Sequence, residues 1–343
     1  MTKRLKNTFT VALLYAGAII GAGFASGQEI IYFFVKFGAN GIIGFLFACL
    51  LFCLLGGVVL SDAYTHKLPK TFYGENKKPW RAKDLFNIFL LFSYAIMLAG
   101  MATILTEISG INYTISVIIV ALIISFSLAF HIEGVVAIGN FIVPFLIVGL
   151  TLLCGRIIAS EPSTAVTVSF YDNNWFFHAV LYVGYNSIVA IMFLPSLSHL
   201  VRNRKDAIIS GVLGGAFISV PGILIIIALL YHSVDPTKAE LPLLSLTDKF
   251  GPGYTTVYLA ILATAMYTTA IAALYSIIIW VNETFKVSYR FQLLILPLLA
   301  IPLATTGFSK LVKTIYPLFG YMGTTYLIYI LIKHFVAVGQ RHR

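Results

Sequence analysis

The chain has 343 residues, 59% hydrophobic and only 10% charged, and its mean hydropathy is +0.93. So few charges cannot cover the apolar surface of a water-soluble fold of this size, which excludes an ordinary soluble domain. The net charge of +10 lies largely in short connecting segments, which speaks for a topology signal and against a nucleic-acid partner.

About ten apolar runs follow one another, each near the roughly 20 residues that cross a hydrocarbon core. Lipid offers the backbone no hydrogen bonds, so such runs are expected to be helices, and the alternation of a membrane β-strand is missing. The first run covers 9–36. Its basic start (Lys3, Arg4, Lys6) and the later Ala22, Gly23 and Ala25 imitate a secretory signal, but apolar residues continue through Ile30–Val35, so an uncleaved span is expected. Spans 2 to 5 follow at 40–61, 85–109, 111–131 and 134–158, and spans 6 to 10 at 175–200, 206–231, 254–281, 291–309 and 312–335. The three cysteines lie inside spans; Cys49 and Cys53 share a helix face, where packing is the simplest role.

With the N-terminus in the cytoplasm, the outer segments hold 6 basic residues: Lys36, Arg156, Lys238, Lys249, Lys310 and Lys313. The other 17 of the 23 Lys and Arg fall inside, including those of the basic loop 66–84. That asymmetry predicts a multi-pass protein of the plasma membrane with both termini cytoplasmic. Ten spans divide into 1–158 and 159–343, five each within one membrane domain. An odd number per half makes the halves insert in opposite senses, the topology of an inverted repeat. The expected class is therefore an all-α integral membrane protein with a 5+5 inverted repeat.

The most informative stretch is GAIIGAGFASGQEI, Gly17–Ile30, in the middle of span 1. Each interior glycine costs a helix about 1 kcal/mol relative to alanine. Gly17, Gly21, Gly23 and Gly27 are joined here by Ser26, Gln28 and Glu29, which predicts a helix that unwinds near mid-membrane. Freed amides near Gly23–Gly27 could meet a solute carboxylate. Gly17 and Gly21 also have the spacing of a close helix–helix contact. Glu29 could contact a solute amine, carry a proton or pair with a polar group elsewhere, since a carboxyl in a lipid span is costly without a role.

Span 6 contains Tyr182-Val183-Gly184-Tyr185-Asn186-Ser187, readable as a second break or as an ordinary helix with an Asn contact. Span 8 contains ATAMYTTAIAALYS, Ala263–Ser276, where Thr268 and Thr269 back-bond to their own helix or offer hard oxygen ligands to Na⁺. The seven histidines form no HExxH or Ser/His/Asp pattern, so an enzyme is not expected. No filter sequence repeats, which disfavours a channel.

On these motifs, above all GAIIGAGFASGQEI, the chain resembles the YkvI-like amino acid permeases of bacteria, within the leucine-transporter fold of the amino acid–polyamine–organocation superfamily. The resemblance implies that the first and sixth spans are unwound around the solute, pointing to Ala22, Gly23, Phe24 and Ser26 with Tyr185 and Asn186. Sodium-coupled members of the fold hold Na⁺ between the first and eighth spans. Its carbonyl donors would map to Gly17, Ile20 and Ala265, and its hydroxyl donors to Thr268 and Thr269. Span 5 lacks the lysine that proton-coupled members can place there. The implied activity is Na⁺ symport of a small amino acid or amine-like solute without a cofactor, with a proton-coupled or uncoupled permease using Glu29 as the alternative.

Overall fold

The computed structural model describes residues 3–66, 82–160, 174–232, 241–306 and 308–341. The basic loop 67–81 and most of the two long outer connections, 161–173 and 233–240, lie outside the described residues. Among the described residues there is no strand. Span 1 is built of three pieces, α1 (Lys3–Ile19), α2 (Ala22–Ser26) and α3 (Gln28–Phe33), closed by a 3₁₀ turn at Val35–Phe37. Then come α4 (Ala39–His66), α5 (Ala82–Ser109), α6 (Tyr113–Leu128) and α7 (His131–Ile158). The second half holds α8 (Trp175–Phe193) with a 3₁₀ extension (Leu194–Leu200), α9 (Arg204–Tyr231), the short α10 (Pro242–Thr247), α11 (Pro252–Phe285), α12 (Tyr289–Ala304) and α13 (Phe308–Arg341).

Every apolar run read from the sequence is thus helical. Among the described residues six helices, namely α4, α5, α7, extended α8, α9 and α11, are long and apolar enough to cross a membrane, with mean hydropathies of 1.7 to 2.8. The apolar α6 and α12 are shorter. Large apolar side chains line the outside in helical stripes: Ile43, Leu46, Leu50 and Leu54 on α4, and Phe141, Phe145, Val148 and Leu152 on α7. Such stripes would aggregate in water and suit hydrocarbon.

Inside, the buried side chains are also largely apolar, and small residues let backbones touch. The most extensive packing joins α4 to α9, α8 to α13, α5 to α11 and α1 to α9. A Cβ on Gly56 would stand 2.8 Å from the Gly211 carbonyl oxygen, and one on Gly215 would stand 2.6 Å from the Cys53 nitrogen. Tyr15 of α1 fills the slot these glycines leave, and its hydroxyl donates to the Phe52 carbonyl at 2.9 Å. Without a hydrophobic drive between helices in lipid, this close approach is what holds them.

The break expected in span 6 is absent. Helix α8 is continuous from Trp175 to Phe193, and Gly184 serves contact instead. A Cβ there would collide with the Thr324 hydroxyl of α13 and lie 2.7 Å from the Gly320 carbonyl oxygen. Asn186 gives its amide back to the Tyr182 carbonyl at 3.1 Å, as an ordinary helical residue does. The span becomes irregular only after Phe193, where Pro195 opens the 3₁₀ turn and cannot donate to the α-helical ladder.

The glycine contacts make a direct prediction. Gly211→Val should force α4 and α9 apart and cost the folded protein about 1–3 kcal/mol or more, read as a fall in melting temperature in detergent. Gly155→Ala, whose Cβ meets nothing within 4 Å, should melt like the wild type.

Candidate functional site

The site begins with a gap in the hydrogen-bond ladder of span 1. The last regular bond of α1 runs from the Ile20 amide to the Ala16 carbonyl at 2.8 Å, after which Gly21 bonds tightly back to Ile19 at 2.8 Å. The ladder resumes with the Ala25 amide on the Gly21 carbonyl at 2.9 Å. A second joint follows at Gly27, whose φ of 81° lies in the left-handed region that glycine enters without steric cost. Both joints are buried, so the carbonyls and amides they release need partners within the protein.

Helix α11 supplies those partners. The Thr268 hydroxyl donates to the Gly17 carbonyl at 2.9 Å and also reaches the Ala265 carbonyl at 3.0 Å. The Thr269 hydroxyl lies 3.4 Å from both the Gly17 and Ala18 carbonyl oxygens. Five oxygens thus gather between α1 and α11. A cavity of about 20 Å³, lined by Gly17, Ala18 and Thr268 with Gly139, Val143 and Phe193 among others, adjoins them. Roughly 10–15 Å³ suffices for one water-sized guest. Of the expected donors, Gly17, Ala265, Thr268 and Thr269 come together. Ile20 sits in the break, and its carbonyl accepts from neither threonine. Ala18 takes its place, because every carbonyl of the last turn loses its helical partner once the helix stops at Ile19.

On the other side of the break, Ala22, Gly23, Phe24 and Ser26 form α2 and are fully buried. Ser26 closes the segment on itself: its hydroxyl donates to the Gly23 carbonyl at 3.2 Å and accepts from the Gln28 amide at 3.3 Å. Tyr258 of α11 donates to the Ala25 carbonyl at 3.3 Å. Of the amides expected to be free over Gly23–Gly27, those of Ala25 and Gly27 are already bonded, the latter to Phe24 at 3.0 Å. The open ones belong to the first turn of α2, ahead of its first internal bond.

Glu29, on α3, is 6% exposed. Its carboxylate accepts from the Tyr185 hydroxyl of α8 and rests on Gly23, where any Cβ would run into Glu29 Oε1, Cδ and Cγ. Aromatic rings surround the pair. Tyr185 stacks on Tyr316 of α13 with centroids 4.9 Å apart and planes 14° apart, and Tyr182 meets Tyr185 edge-on at 5.5 Å. Phe33 lies 5.3 Å from Tyr182 and 5.7 Å from Tyr185. The sequence did not single out Tyr182 and Tyr316 as site residues. An aromatic in an apolar span looks the same whether it packs or lines a site, although Tyr182 lies one turn before the expected Tyr185 and Asn186. The Tyr182 hydroxyl and Gln28 Oε1 are buried without a hydrogen-bond partner of good geometry.

No family model matches the chain. Solved membrane transporters share its fold. Mhp1, of the nucleobase-cation-symport-1 family, superposes with a TM-score of 0.70 at 14% identity, covering 93% of this chain and 75% of that one. MhsT in complex with L-phenylalanine gives 0.63 at 17% identity, covering 93% and 87%. A manganese transporter of Eremococcus coleocola gives 0.61 at 13% identity, covering 97% and 78%. The architecture is therefore the leucine-transporter fold, and the proteins that share it here are transporters rather than enzymes.

In sequence the chain is similar to the membrane protein YkvI of Bacillus subtilis (strain 168), with 26% identity over 339 residues that cover 94% of this chain and 95% of YkvI. YyaD of the same organism is 23% identical over 326 residues, covering 93% and 95%. The resemblance carried by the span 1 motif thus extends along nearly the whole chain.

The contact between Gly23 and Glu29 can be tested by a double-mutant cycle. Gly23→Ala alone should cost about 1–3 kcal/mol, because the methyl must displace the carboxyl. In a Glu29→Ala background the same change should cost little. Thermal melts of the four proteins would show this as a coupling, and additive losses would disprove the contact.

Proposed function

We propose that the chain is a secondary transporter that carries a small amino-acid-like or amine solute together with Na⁺ by alternating access. The observation that carries this reading is the cluster of five oxygens between broken span 1 and α11. Neutral oxygen donors converging beside a water-sized cavity are what a hard monovalent cation needs in place of its hydration shell, as in other oxygen-ligated sites. Gly17, Ala18 and Ala265 would give carbonyls, Thr268 and Thr269 hydroxyls turned to present their lone pairs. Ile20 would join when the break opens.

The solute site lies on the far side of the same break, around α2, Glu29 and Tyr185, so one moving segment would serve both guests. Broken helices at cavities are a recurring device of transporters, and the solved structures of this fold include one holding L-phenylalanine. A 5+5 inverted repeat is supported by the way packing recurs five spans on: α1 on α9 answers α4 on α8, α5 on α6 answers α11 on α12, and α1 on α7 answers α8 on α13. The distribution of Lys and Arg supports cytoplasmic termini in a plasma membrane. A second reading, coupling to a proton carried on Glu29, has the buried Glu29–Tyr185 hydrogen bond in its favour.

Uptake of labelled amino acids and amines into proteoliposomes, with and without an inward Na⁺ gradient, tests the sodium reading. Gradient-driven accumulation is expected. Thr268→Ala and Thr269→Ala should each raise the Na⁺ concentration for half-maximal uptake by about tenfold or more, equal to about 1.4 kcal/mol. Uptake that ignores the gradient and is unchanged in both variants would sink it.

A further inference from the structure

The transport reading leaves the solute open between an amino acid and an amine. We propose that this site takes an organic cation without a carboxylate, a small amine or diamine, held by Glu29 within the rings of Tyr182, Tyr185, Tyr316 and Phe33. The inference rests on the transport reading and names its solute.

First, the place of a solute carboxylate is taken. Glu29 lies directly on Gly23, with Oε1, Cδ and Cγ against that position of α2. The Ala25 and Gly27 amides beyond are engaged by Gly21 and Phe24. A second carboxylate brought to this segment would have to displace the Glu29 carboxyl or share its place. The protein thus sets its own carboxyl group where an amino acid would bring one.

Second, that carboxyl group has no cationic partner among the described residues. Glu29 receives the Tyr185 hydroxyl, and among the described residues no Lys, Arg or His pairs with it. The nearby cation of span 1, Lys36, is held over the rings of Tyr32 and Phe37 at 4.5 and 4.9 Å and beside His178 at 3.4 Å. A buried carboxylate without a cationic partner is costly, and a guest ammonium group removes that cost.

Third, the surroundings suit a cation. Stacked Tyr185 and Tyr316, with Tyr182 and Phe33 set at angles to them, form an aromatic cluster joined to the carboxyl through the Tyr185 hydroxyl. The negative face of an aromatic ring attracts an ammonium group, and the attraction grows where water is excluded. The Tyr182 hydroxyl is fully buried in the same cluster.

The test is thermal stabilisation of the purified full chain in detergent at fixed Na⁺, using matched pairs: 2-phenylethylamine and L-phenylalanine, isobutylamine and L-valine, putrescine and L-ornithine. In at least one pair the amine should stabilise saturably, with an apparent affinity at least about tenfold above that of its parent amino acid. Glu29→Gln should weaken amine binding by about tenfold or more. Should that variant fail to fold, Tyr316→Leu tests the cage by the same measure. Parent amino acids that bind as well as their amines, amine affinity held within about twofold in the variants, or no stabilisation by any amine would overturn the proposal. Stabilisation by Na⁺ alone, compared between wild type and Thr268→Ala, is read without any solute. An intact sodium effect with a failed amine arm therefore overturns only the cage.

Discussion

Between Ile19 and Gln28 the first span leaves the α-helical ladder twice while wholly buried, and each backbone group so released must be satisfied inside the protein. This demand organises much of the interior. The Gly17 and Ala18 carbonyls are answered by Thr268 and Thr269, the Ala25 carbonyl by Tyr258, and the Gly23 carbonyl by Ser26. Three of the four donors stand on α11. An unanswered buried carbonyl costs about 1–3 kcal/mol, so α11 is fixed against the break by more than apolar contact. It is braced in turn by α5 and α7. The hydroxyl bonds of 2.9 to 3.4 Å that satisfy the broken segment are also those on which the proposed cation site rests.

Glycine plays opposite parts in the two halves, and local sequence does not separate them. In span 1 four glycines crowd together with Ser26, Gln28 and Glu29, and that density makes the break legible from the amino-acid sequence. Even there the parts are mixed. Gly27 is a joint with positive φ, whereas Gly17 is also a contact, since a Cβ would stand 2.5 Å from Val143 on α7. Both readings of the Gly17 and Gly21 spacing are therefore true. In span 6 the single Gly184, flanked by Tyr, Asn and Ser, carries the same local signal but faces Gly320 and Gly323 far along the chain. Whether a membrane glycine breaks a helix or seats a neighbour depends on its partner, which no local pattern contains.

The same limit explains which site residues are visible in the sequence. Thr268 and Thr269 are visible as hydroxyls in an apolar run, but only the resemblance to sodium-coupled proteins separates them from a pair such as Thr324-Thr325. Ala18 has no side-chain signal at all, for it contributes a carbonyl, and only the end of α1 at Ile19 frees it. Tyr316 lies in a span whose aromatics serve mostly as packing, and its role depends on α13 lying against α8. The apolar runs and the break in span 1 are local properties, and both are legible. The pairing of helices is not local and is not legible.

Glu29 shows how far a local irregularity can reach. In a continuous helix, residues 23 and 29 would be about 9 Å apart along the axis and about 120° apart around it, on different faces. They touch here only because Gly27, with its φ of 81°, turns α3 out of line with α2. Gly23 leaves the space, Gly27 makes the turn, and Glu29 fills the space, so the three form one unit within GAGFASGQE. A carboxyl delivered this way is bound to the geometry of the joint. Straightening the joint would take the carboxyl away from Gly23, and a cation holding the carboxyl would hold the joint with it. On the proposed transport reading, binding and bending are thereby coupled through a single side chain, which is the coupling that alternating access requires.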